Sequence, residues 1–495
     1  ETHYTTEFSD RILENFASIG AGMTRIDMDW EKIEPSEGVF KISERDEKIV
    51  DYSVARGIQP MFILNAHYWP DFYSYEGTSG FPVTEKQIDQ FIEYVKYLVS
   101  YFKGRVYYYE LFNETNYMPY SYIDGTRYTV LLKRVYAAIK EIDPEIKLVG
   151  GATSTFGYKF AEEVFKAGGA DYMDYYSFHP YILPNSPESV NWIENVEELH
   201  NMAVKYGARD LRFMITEIGW SAVDTVNGVT EQQKMNYMVR AFAWAKSEGY
   251  VDRILIYHSN SNGNKYYTES EWGVFGSAVA GNADSVSSSA RPAAVGLAAF
   301  ENITHGSKFA ASENLAKGLY AHKYTKPDGK TLYLLWTNDK ESYADITVSG
   351  GSAKVYDTYG NLLQTDYDGN TFSTDVGSKM VYVVLKKGES IEKAVLKEKS
   401  PQKPDNNGGI SADDGKSDYD GDNGGATPAE EEQNGTDTVI RRRKIIKKVI
   451  KGNGGAEETN PLIIAAIIAA AVIAAGGAAP ITVLIVKKRR KRKIQ

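Results

Sequence analysis

The sequence predicts an α/β fold: a (β/α)8 TIM barrel followed by a small antiparallel β-sandwich domain, a disordered linker and a C-terminal transmembrane helix. Two observations lead to the barrel and the sandwich. Short β-rich runs alternate with amphipathic helical stretches up to about residue 305, and residue-by-residue alternation of polar and apolar side chains replaces that pattern afterwards. Eight strand-helix units over about 300 residues fit a barrel, whereas an open doubly wound sheet would usually stop at five or six strands.

The predicted strands are β-rich runs, and helical periodicity lies between them. They cover 2–5, 23–28, 59–65, 106–113, 147–152, 172–179, 212–218 and 253–259, and the last helix is predicted over 292–303. The helix over 84–102 is the clearest, because Thr84 and Gln87 form a capping box at its start, and Thr230 with Gln233 repeats the signature. The first strand is very short, as if the sequence began inside it, so we expect the barrel to be incomplete there.

Two further regions follow the predicted barrel domain, 1–305. Residues 306–387 alternate as strands do, with turn chemistry in KPDGK and YDGN, which predicts the β-sandwich. We interpret it as a buttress packed on the barrel rather than a sugar-binding module, since nothing in it concentrates exposed aromatics. Residues 388–460 are rich in Gly, Asn, Asp and Glu without periodicity, which predicts a disordered linker. Its basic segment, 439–451, either touches anionic lipid heads or wall polyanions or is a solvated charge run.

Residues 461–486 predict a single transmembrane helix. The 25 residues from 462 to 486 carry no charge, which is enough for roughly 37 Å of helix, and the basic tail 487–495 follows at once. A buried core helix would show a polar face, and this segment shows none. Because positive charge stays cytoplasmic, we expect everything before residue 462 to lie outside the cell and the C-terminus inside. A wall-sorting signal is the alternative, but its LPxTG motif is absent upstream.

Composition excludes several classes of function. There is no Cys, so disulfides, thiolate nucleophiles and Cys-ligated metals are excluded. A net charge of −10 argues against nucleic acid as the main partner. None of the 7 His shows HExxH or another close metal spacing, and no phosphate-binding loop appears, so no metal, nucleotide or other cofactor is implied. The 36 Tyr and 7 Trp favour a carbohydrate partner, since flat amphipathic rings suit sugar faces.

Two glutamates lie where predicted strands run into loops, which is where reacting groups sit in such a barrel. Glu114 closes the fourth strand in ELFNETNY, and Glu217 closes the seventh in FMITEIGWS. Strands three apart in a ring of eight have ends that face one another across the mouth. Cleavage of a glycosidic bond needs such a pair, one acid for the leaving oxygen and one base or nucleophile at the anomeric carbon. The alternative for Glu114 is a solvated loop residue, the usual fate of a glutamate.

Three stretches resemble clan A glycoside hydrolases, most like family 39 and its relatives. YELFNET and ITEIGWS are similar to the acid/base and nucleophile motifs, and TRIDMDWEKIEPSEGVF resembles the second-strand region of the clan. The resemblance covers about 300 residues and implies a retaining mechanism with Glu114 as general acid/base and Glu217 as nucleophile. Many members carry Pro where this sequence has Thr115, which bears on the family more than on the role, because proton transfer needs only the carboxyl.

The residues around the two glutamates are candidates for substrate binding. Arg25 is the candidate cation that holds Glu217 ionised, with a structural salt bridge as its alternative. Asn113 is placed to hydrogen-bond the sugar 2-hydroxyl, with a strand-end cap as its alternative. Glu110 lies four residues deeper than Glu114, and we interpret it as a buried ion-pair partner. Polar and flat side chains at other strand ends and in loops complete the predicted site: His67, Trp69, His179, Tyr181, Trp220, Tyr257 and Trp272.

Together these features predict an extracellular, membrane-tethered retaining glycoside hydrolase that acts on a poly- or oligosaccharide. A β-xyloside or another β-linked glycan is what the resemblance implies, and the tether suggests a wall or capsule polymer. Two alternatives stay open. A catalytically silent carbohydrate-binding surface protein has no need of two opposed carboxylates, and a transglycosylase would use the same residues and differ only in how well water competes.

Overall fold

The computed structural model describes residues 6–65, 69–73, 81–117, 123–261, 263–276, 288–338 and 341–398. The chain divides into two units, Glu1–Asp405 and Asn406–Gln495, and all of the described residues belong to the first. The predicted transmembrane segment, 461–486, and most of the predicted linker lie outside the described residues. Within the described ranges, no helix combines the length and the apolar composition needed to cross a membrane.

A seven-stranded parallel sheet with alternating helices, a TIM-like α/β arrangement, forms the first part of the fold. Each strand pairs with its neighbours in chain order. The strands are β1 (Met23–Asp29), β2 (Gln59–Asn65), β3 (Tyr108–Leu111), β4 (Lys147–Ser154), β5 (Tyr175–His179), β6 (Arg212–Ile218) and β7 (Val251–Ile256). The helices are α1 (Thr6–Ser18), α2 (Trp30–Ile33), α3 (Glu44–Ala55), α4 (Glu85–Tyr101), α5 (Gly125–Ile142), α6 (Tyr158–Lys166), α7 (Trp192–Lys205), α8 (Glu231–Ser247) and α9 (Pro292–Thr304).

Seven of the eight predicted strands are confirmed to within a few residues, and the one predicted over 2–5 lies outside the described residues. The strand predicted over 106–113 is shorter than expected. Phe112 and Glu114 have positive φ angles of 66° and 47°, which take the chain out of the sheet after Leu111. Among the described strands, β7 and β1 are the two outer members of the sheet, so a complete barrel is not part of what the structure describes.

The helices begin where the sequence supplies caps. The Thr84 hydroxyl accepts the Gln87 backbone N–H at the start of α4, and the Gln87 side chain accepts the Thr84 N–H in return. Thr230 and Gln233 do the same at the start of α8, so both predicted capping boxes are confirmed. The apolar face of α4 is buried in the main core as its periodicity predicts: Ile88, Phe91, Ile92, Val95, Leu98 and Val99.

Alternate strand residues point to opposite faces of the parallel sheet, which separates two apolar clusters. Phe62 and Leu64 of β2 belong to the main core, between sheet and helices. Met61, which precedes Phe62 in the strand, points to the inner face and forms a small cluster there with Val149, Met214 and Leu255. Arg25 pairs in register with Met61. The polar side chains described below therefore share the inner face with a compact apolar layer.

Two antiparallel sheets that share one apolar core form the second part of the fold. One has the order β13-β12-β16-β10-β9-β8 and the other β14-β15-β11-β17. Their bounds are β8 (Lys308–Ser312), β9 (Leu319–Thr325), β10 (Thr331–Thr337), β11 (Ser342–Val348), β12 (Lys354–Tyr356), β13 (Leu362–Leu363), β14 (Tyr367–Asp368), β15 (Thr371–Val376), β16 (Val381–Leu385) and β17 (Ile391–Glu398).

Strand β17 corrects the predicted start of the linker at residue 388. Its residues pair antiparallel with β11 along their whole length, with one irregularity. Ile391 and Ala394 are buried in the shared core, while the Glu and Lys residues between them keep their charges outside. The high charge of IEKAVLKE hid this amphipathic strand, because its four apolar residues do not alternate regularly with its charged ones and one of the buried residues is only an alanine.

Glu188 ties the chain after β5 to the antiparallel sheets. It lies in a short turn, Pro187–Val190, and its Oε1 accepts the indole N–H of Trp336 on β10 at 2.8 Å and that of Trp244 on α8 at 3.2 Å. Its Oε2 lies 2.9 Å from Nη2 of Arg240, and both side chains of this ion pair are buried. One carboxylate therefore joins the turn after β5, helix α8 and strand β10. Because the charge is buried, it depends on its ion-pair partner.

We expect Glu188→Gln to lower the free energy of unfolding by about 3–5 kcal/mol, because the buried Arg240 guanidinium loses its counter-charge. Urea unfolding followed by circular dichroism measures the change. The control is Glu162→Gln, which removes the partner of the exposed Lys205 and should leave the free energy of unfolding nearly unchanged, because water screens an exposed ion pair. Similar small losses in both variants would show that Glu188 does not hold these elements together.

Candidate functional site

Arg25 is the centre of a polar cluster on the inner face of the sheet. Its guanidinium, 1% exposed, donates from Nε to Glu110 Oε2 and from Nη1 to Glu217 Oε1, each at 2.6 Å. Nη2 donates to Asn113 Oδ1 at 2.8 Å. Glu110 is completely buried, and its other oxygen accepts the Ser177 hydroxyl at 2.6 Å. Both interpretations of Arg25 therefore describe part of its environment, since it contacts Glu217 and also forms a salt bridge with Glu110.

Glu114 and Glu217 lie side by side although they are far apart in the chain. One oxygen from each, together with a ring nitrogen of His179, forms a group of three atoms that all lie within 4.8 Å of one another. The two side chains differ in exposure, at 25% for Glu114 and 8% for Glu217. Two carboxylates at this distance can act on a single bound molecule, one from an enclosed position and one from the solvent side.

The backbone that presents Glu114 is held in an uncommon conformation. Its φ of 47° lies in the left-handed region, which ordinary L-residues adopt at a cost of order 1–3 kcal/mol. The Glu114 N–H donates to the Ala152 carbonyl at 2.7 Å, and the Ala152 N–H in turn donates to Ser177 Oγ at 3.0 Å. These bonds across β4 and β5 offset the strain and keep the carboxylate at the end of β3.

His179 lies between the two carboxylates and is completely buried. Its Nδ1 is 3.0 Å from Glu114 Oε1 and 3.6 Å from Glu217 Oε2, and its Nε2 is 3.1 Å from Thr216 Oγ1. Burial is the largest influence on the pKa of His179 and lowers it, and the Arg25 charge also lowers it. The charge of Glu217 and the hydrogen bond to Glu114 outweigh both, so the pKa of His179 is raised. The imidazolium form is thus favoured between the carboxylates.

The same three side chains, Glu114, His179 and Glu217, offer donor atoms close enough to hold a metal ion. A metal-bound imidazole must be neutral, whereas the raised pKa of His179 favours its protonated form. The ion pair between Arg25 and Glu217 also occupies one carboxylate oxygen. In the absence of a metal ion, the electrostatics favour a cationic ring between the two glutamates.

Three aromatic rings form a wall beside Glu217. The Tyr181 hydroxyl donates to Glu217 Oε2 at 2.8 Å. The Tyr181 ring meets Trp272 edge-on with centroids 5.2 Å apart, and Tyr257 packs against both rings. A cavity of about 440 Å³ opens next to this wall, lined by Tyr181, Ile182, Leu183, Asn185, Val190, Asn227, Thr268 and Trp272. Tyr181 therefore both contacts the enclosed carboxylate and lines the cavity.

The remaining predicted site residues lie in different surroundings. Trp69 is half-buried and packs on the main core, and His67 lies outside the described residues. Trp220 is completely buried, its indole N–H donates to the Asn185 carbonyl at 2.8 Å, and its ring packs on Tyr237. The structure gives Trp220 a packing role rather than the sugar contact predicted for it, because none of its ring is exposed.

Two polar residues of the site were missed from the sequence. Ser177 bonds Glu110, and it precedes His179 by two residues, so strand alternation places both on the same face of β5. That parity was a usable signal. Thr216, which bonds His179 Nε2, precedes Glu217 directly and gave no comparable signal.

Comparison with known proteins gives one family and several similar folds. The family described as cellulase (glycosyl hydrolase family 5) matches residues 1–261. A family 39 glycoside hydrolase from the gut symbiont Bacteroides cellulosilyticus WH2 has a TM-score of 0.65 at 22% identity, over 76% of this chain and 78% of that one. No protein of curated function matches.

Two further solved structures share the fold at lower identity. The catalytic domain of GH30 xylanase C from Talaromyces cellulolyticus has a TM-score of 0.54 at 14% identity, over 78% of this chain and 93% of that one. A GH39 β-xylosidase from Caulobacter crescentus has a TM-score of 0.53 at 14% identity, over 77% and 92%. At such identities the likeness concerns the fold alone.

The raised pKa of His179 predicts a pH-dependent contribution to stability. The stabilisation from its bridge is fully present below the unfolded pKa of about 6.5 and is lost as the pH rises through the raised folded pKa. Urea unfolding of wild type and His179→Gln between pH 5.5 and pH 8.5 measures it. The stability of wild type relative to the variant should decrease with rising pH.

His200 provides a control of opposite sign. Burial lowers the pKa of His200 below its usual value, so its folded form binds the proton less readily than its unfolded form. The stability of wild type relative to His200→Gln should therefore increase as the pH rises towards about 6.5. A His179 difference that grows with pH in the same way would contradict the imidazolium bridge.

Proposed function

The chain belongs to the cellulase family, glycosyl hydrolase family 5, and from this membership we propose that it is a retaining glycoside hydrolase that cleaves O-glycosidic bonds of a poly- or oligosaccharide. The family is part of clan A, so the clan that the sequence motifs indicated is confirmed. The observation that carries the proposal is the approach of one carboxylate oxygen of Glu114 to one of Glu217, within 4.8 Å. Carboxyl groups of retaining enzymes lie about 5–5.5 Å apart, and those of inverting enzymes about 6.5–9.5 Å.

In the proposed mechanism Glu217 is the nucleophile. Its carboxylate attacks the anomeric carbon while Glu114 gives its proton to the leaving oxygen, which breaks the glycosidic bond and leaves a glycosyl-enzyme. Glu114, now a carboxylate, takes a proton from water as the water attacks the same carbon, and Glu217 departs as a carboxylate. The exposures of the two side chains support this division, because the acid/base must meet both leaving group and water.

The neighbours of Glu217 support its role. Arg25 donates to one carboxylate oxygen and Tyr181 to the other, which fixes the orientation of the carboxylate. Asn113, oriented by Arg25, is the proposed partner of the sugar 2-hydroxyl. The rings of Tyr257 and Trp272 are proposed to contact the sugar faces, Trp272 through the 5% of its surface that is exposed, and a substrate contact stays a prediction for Trp69 and His67.

The proposed substrate is a β-linked glycan. A β-xyloside is one candidate, since similar folds belong to a xylanase and a β-xylosidase, and a β-glucan is another, since the family is described as cellulase. The cavity of about 440 Å³ supports an oligosaccharide, because Tyr181, which bonds Glu217, also lines it and it gives room for a further sugar ring. Transglycosylation and silent sugar binding on the same residues are the alternatives.

We also propose a closed barrel, a separate β-sandwich and a membrane anchor for this chain. Residues 2–5 are proposed as the strand that completes the barrel between β7 and β1, and a cavity of about 560 Å³ lined by residues of both strands supports this. The catalytic domain is proposed over 1–305, with an accessory β-sandwich after it. The charge-free run at 461–486 and the basic tail support a single-pass cell-membrane anchor with the catalytic domain outside.

The proposed roles predict a loss of activity in each carboxylate variant. Wild type should hydrolyse at least one substrate in a panel of 4-nitrophenyl β-glycosides. Glu217→Gln should lower kcat/KM by about 10²–10⁴-fold, whereas Glu114→Gln should lower kcat by about 10²–10⁴-fold, because 4-nitrophenolate leaves without protonation and the lost base slows hydrolysis of the glycosyl-enzyme. The control is Glu93→Gln, a change on the exposed face of α4, which should retain wild-type activity. If wild type binds glycans but cleaves none, the protein is a silent binder.

Azide rescue separates the two carboxylates. With Glu217→Ala, azide should restore turnover and yield a glycosyl azide of inverted anomeric configuration, because azide attacks from the side the nucleophile has left. With Glu114→Ala, azide should yield a product of retained configuration, because it attacks the glycosyl-enzyme in place of water. Retention in the first case or full activity of Glu217→Gln would assign the nucleophile to another residue.

A further inference from the structure

Lys234 is a completely buried lysine of α8 that the proposed mechanism does not use. Its Nζ donates to the backbone carbonyl of Glu271 at 3.0 Å and to that of Gly273 at 2.6 Å. These carbonyls stand on either side of Trp272 in the chain. We name residues 271–273 the Trp272 segment. One amino group thus holds this segment at both ends.

We propose that Lys234 is a positioning residue that sets the place of the Trp272 ring in the wall of the substrate cleft. The inference rests on the proposed function, since a cleft wall matters only when a glycan is bound. It adds a residue remote from the reacting atoms, on the helix that follows the nucleophile strand, to the groups that shape the site.

The contacts of Trp272 explain why its position matters. Its ring meets that of Tyr181, and the Tyr181 hydroxyl donates to Glu217. Trp272 and Tyr181 also line the same cavity of about 440 Å³. A shift of the Trp272 segment therefore changes the shape of the cavity directly and reaches Glu217 only through Tyr181. We expect a larger effect on KM than on kcat.

The Trp272 segment has little freedom to adjust. A Cβ at Gly273 would lie 2.0 Å from the backbone nitrogen of Ser261, so the two chain segments touch through their backbones. Arg291 adds a second tie, from Nη2 to Glu271 Oε2 at 2.6 Å and from Nη1 to the Gly273 carbonyl at 3.3 Å. Loss of Lys234 should shift the segment by a small amount, and these remaining contacts should keep it folded.

Charged groups face Lys234 from each element packed around it. Glu231 lies on α8 itself, Glu271 lies in the Trp272 segment, and Arg291 stands at the start of α9. Burial has the largest effect and lowers the pKa of Lys234, Arg291 lowers it further, and the two glutamates oppose this. The result is a pKa of about 7. The lysine therefore loses its charge as the pH rises through neutrality.

Loss of the charge has two opposite consequences. Hydrogen bonds from an ammonium are roughly twice as strong as those from a neutral donor, so the Trp272 segment is held less firmly above neutral pH. The fold as a whole gains stability, because the folded pKa lies below the usual 10.5 and the unfolded chain binds the extra proton between those values. A merely structural lysine would not loosen the cleft while the fold becomes more stable.

The kinetic test compares Lys234→Met with Lys246→Met. Lys246 lies on the same helix near its other end, next to residues at the opposite end of the sheet, so it controls for removal of a lysine from α8. With a 4-nitrophenyl glycoside that wild type cleaves, Lys234→Met should raise KM several-fold at pH 6 with a smaller change in kcat. Its KM should also lose the rise between pH 6 and pH 8.5 that wild type and Lys246→Met show. An unchanged KM in Lys234→Met would overturn the proposal.

A spectroscopic test does not depend on activity. The 7 Trp can be labelled with 5-fluorotryptophan, and the ¹⁹F resonance of Trp272 is the one that Trp272→Phe removes. This resonance should shift with a midpoint near pH 7 in wild type and Lys246→Met and stay constant in Lys234→Met. A resonance that does not titrate in wild type, or that titrates equally in Lys234→Met, would overturn the proposal.

The two tests distinguish failure of the proposed function from failure of the role proposed for Lys234. If wild type cleaves no glycoside while the Trp272 resonance titrates as expected, the proposed function fails and the hold of Lys234 on the segment stands. Should Lys234→Met not fold, Lys234→Arg replaces it. Its guanidinium stays charged through this pH range, so the Trp272 resonance should no longer titrate near pH 7. A shift that persists in the folded Lys234→Arg protein would assign the titration to another group and overturn the proposal.

Discussion

The buried guanidinium of Arg25 is the interaction on which the site depends. It comes from β1 and pairs with Glu110 on β3 and Glu217 on β6, so one positive charge joins three strands. Two carboxylates in a water-poor interior are tolerated only beside a cation. The guanidinium that orients Glu217 therefore also offsets the cost of burying Glu110. Stability and geometry of the site cannot be separated here, because both rest on the same ion pairs.

Helix α8 connects this site to the rest of the fold. On one face Arg240 pairs with Glu188, which fixes the chain that follows Tyr181 and binds it to the antiparallel sheets. Nearer its start, Lys234 holds the chain on either side of Trp272. Two of the three rings of the wall, Tyr181 and Trp272, thus belong to chain segments that this helix holds, and the helix directly follows the strand of the proposed nucleophile.

Local signals in the sequence were sufficient for most of the fold. Strand alternation and helical period are set by neighbours in the chain, so seven strands and both capping boxes could be predicted. Glu114 and Glu217 could be predicted because each stands at a strand end inside a recognisable motif. The early end of β3 could not, because the positive φ of Phe112 depends on contacts from other strands. Nor could β17, whose few apolar residues are buried only against β11.

By itself, the sequence determined which residues form strands and helices and which two carboxylates stand at strand ends. Only the tertiary structure decided their partners: His179 between the carboxylates, Trp272 in the wall while Trp220 is buried in packing, and Lys234 beneath the Trp272 segment. The physical reason is range. Periodicity acts over a few residues, whereas a hydrogen bond or an ion pair joins whatever the fold brings within about 3 Å, however distant in the chain.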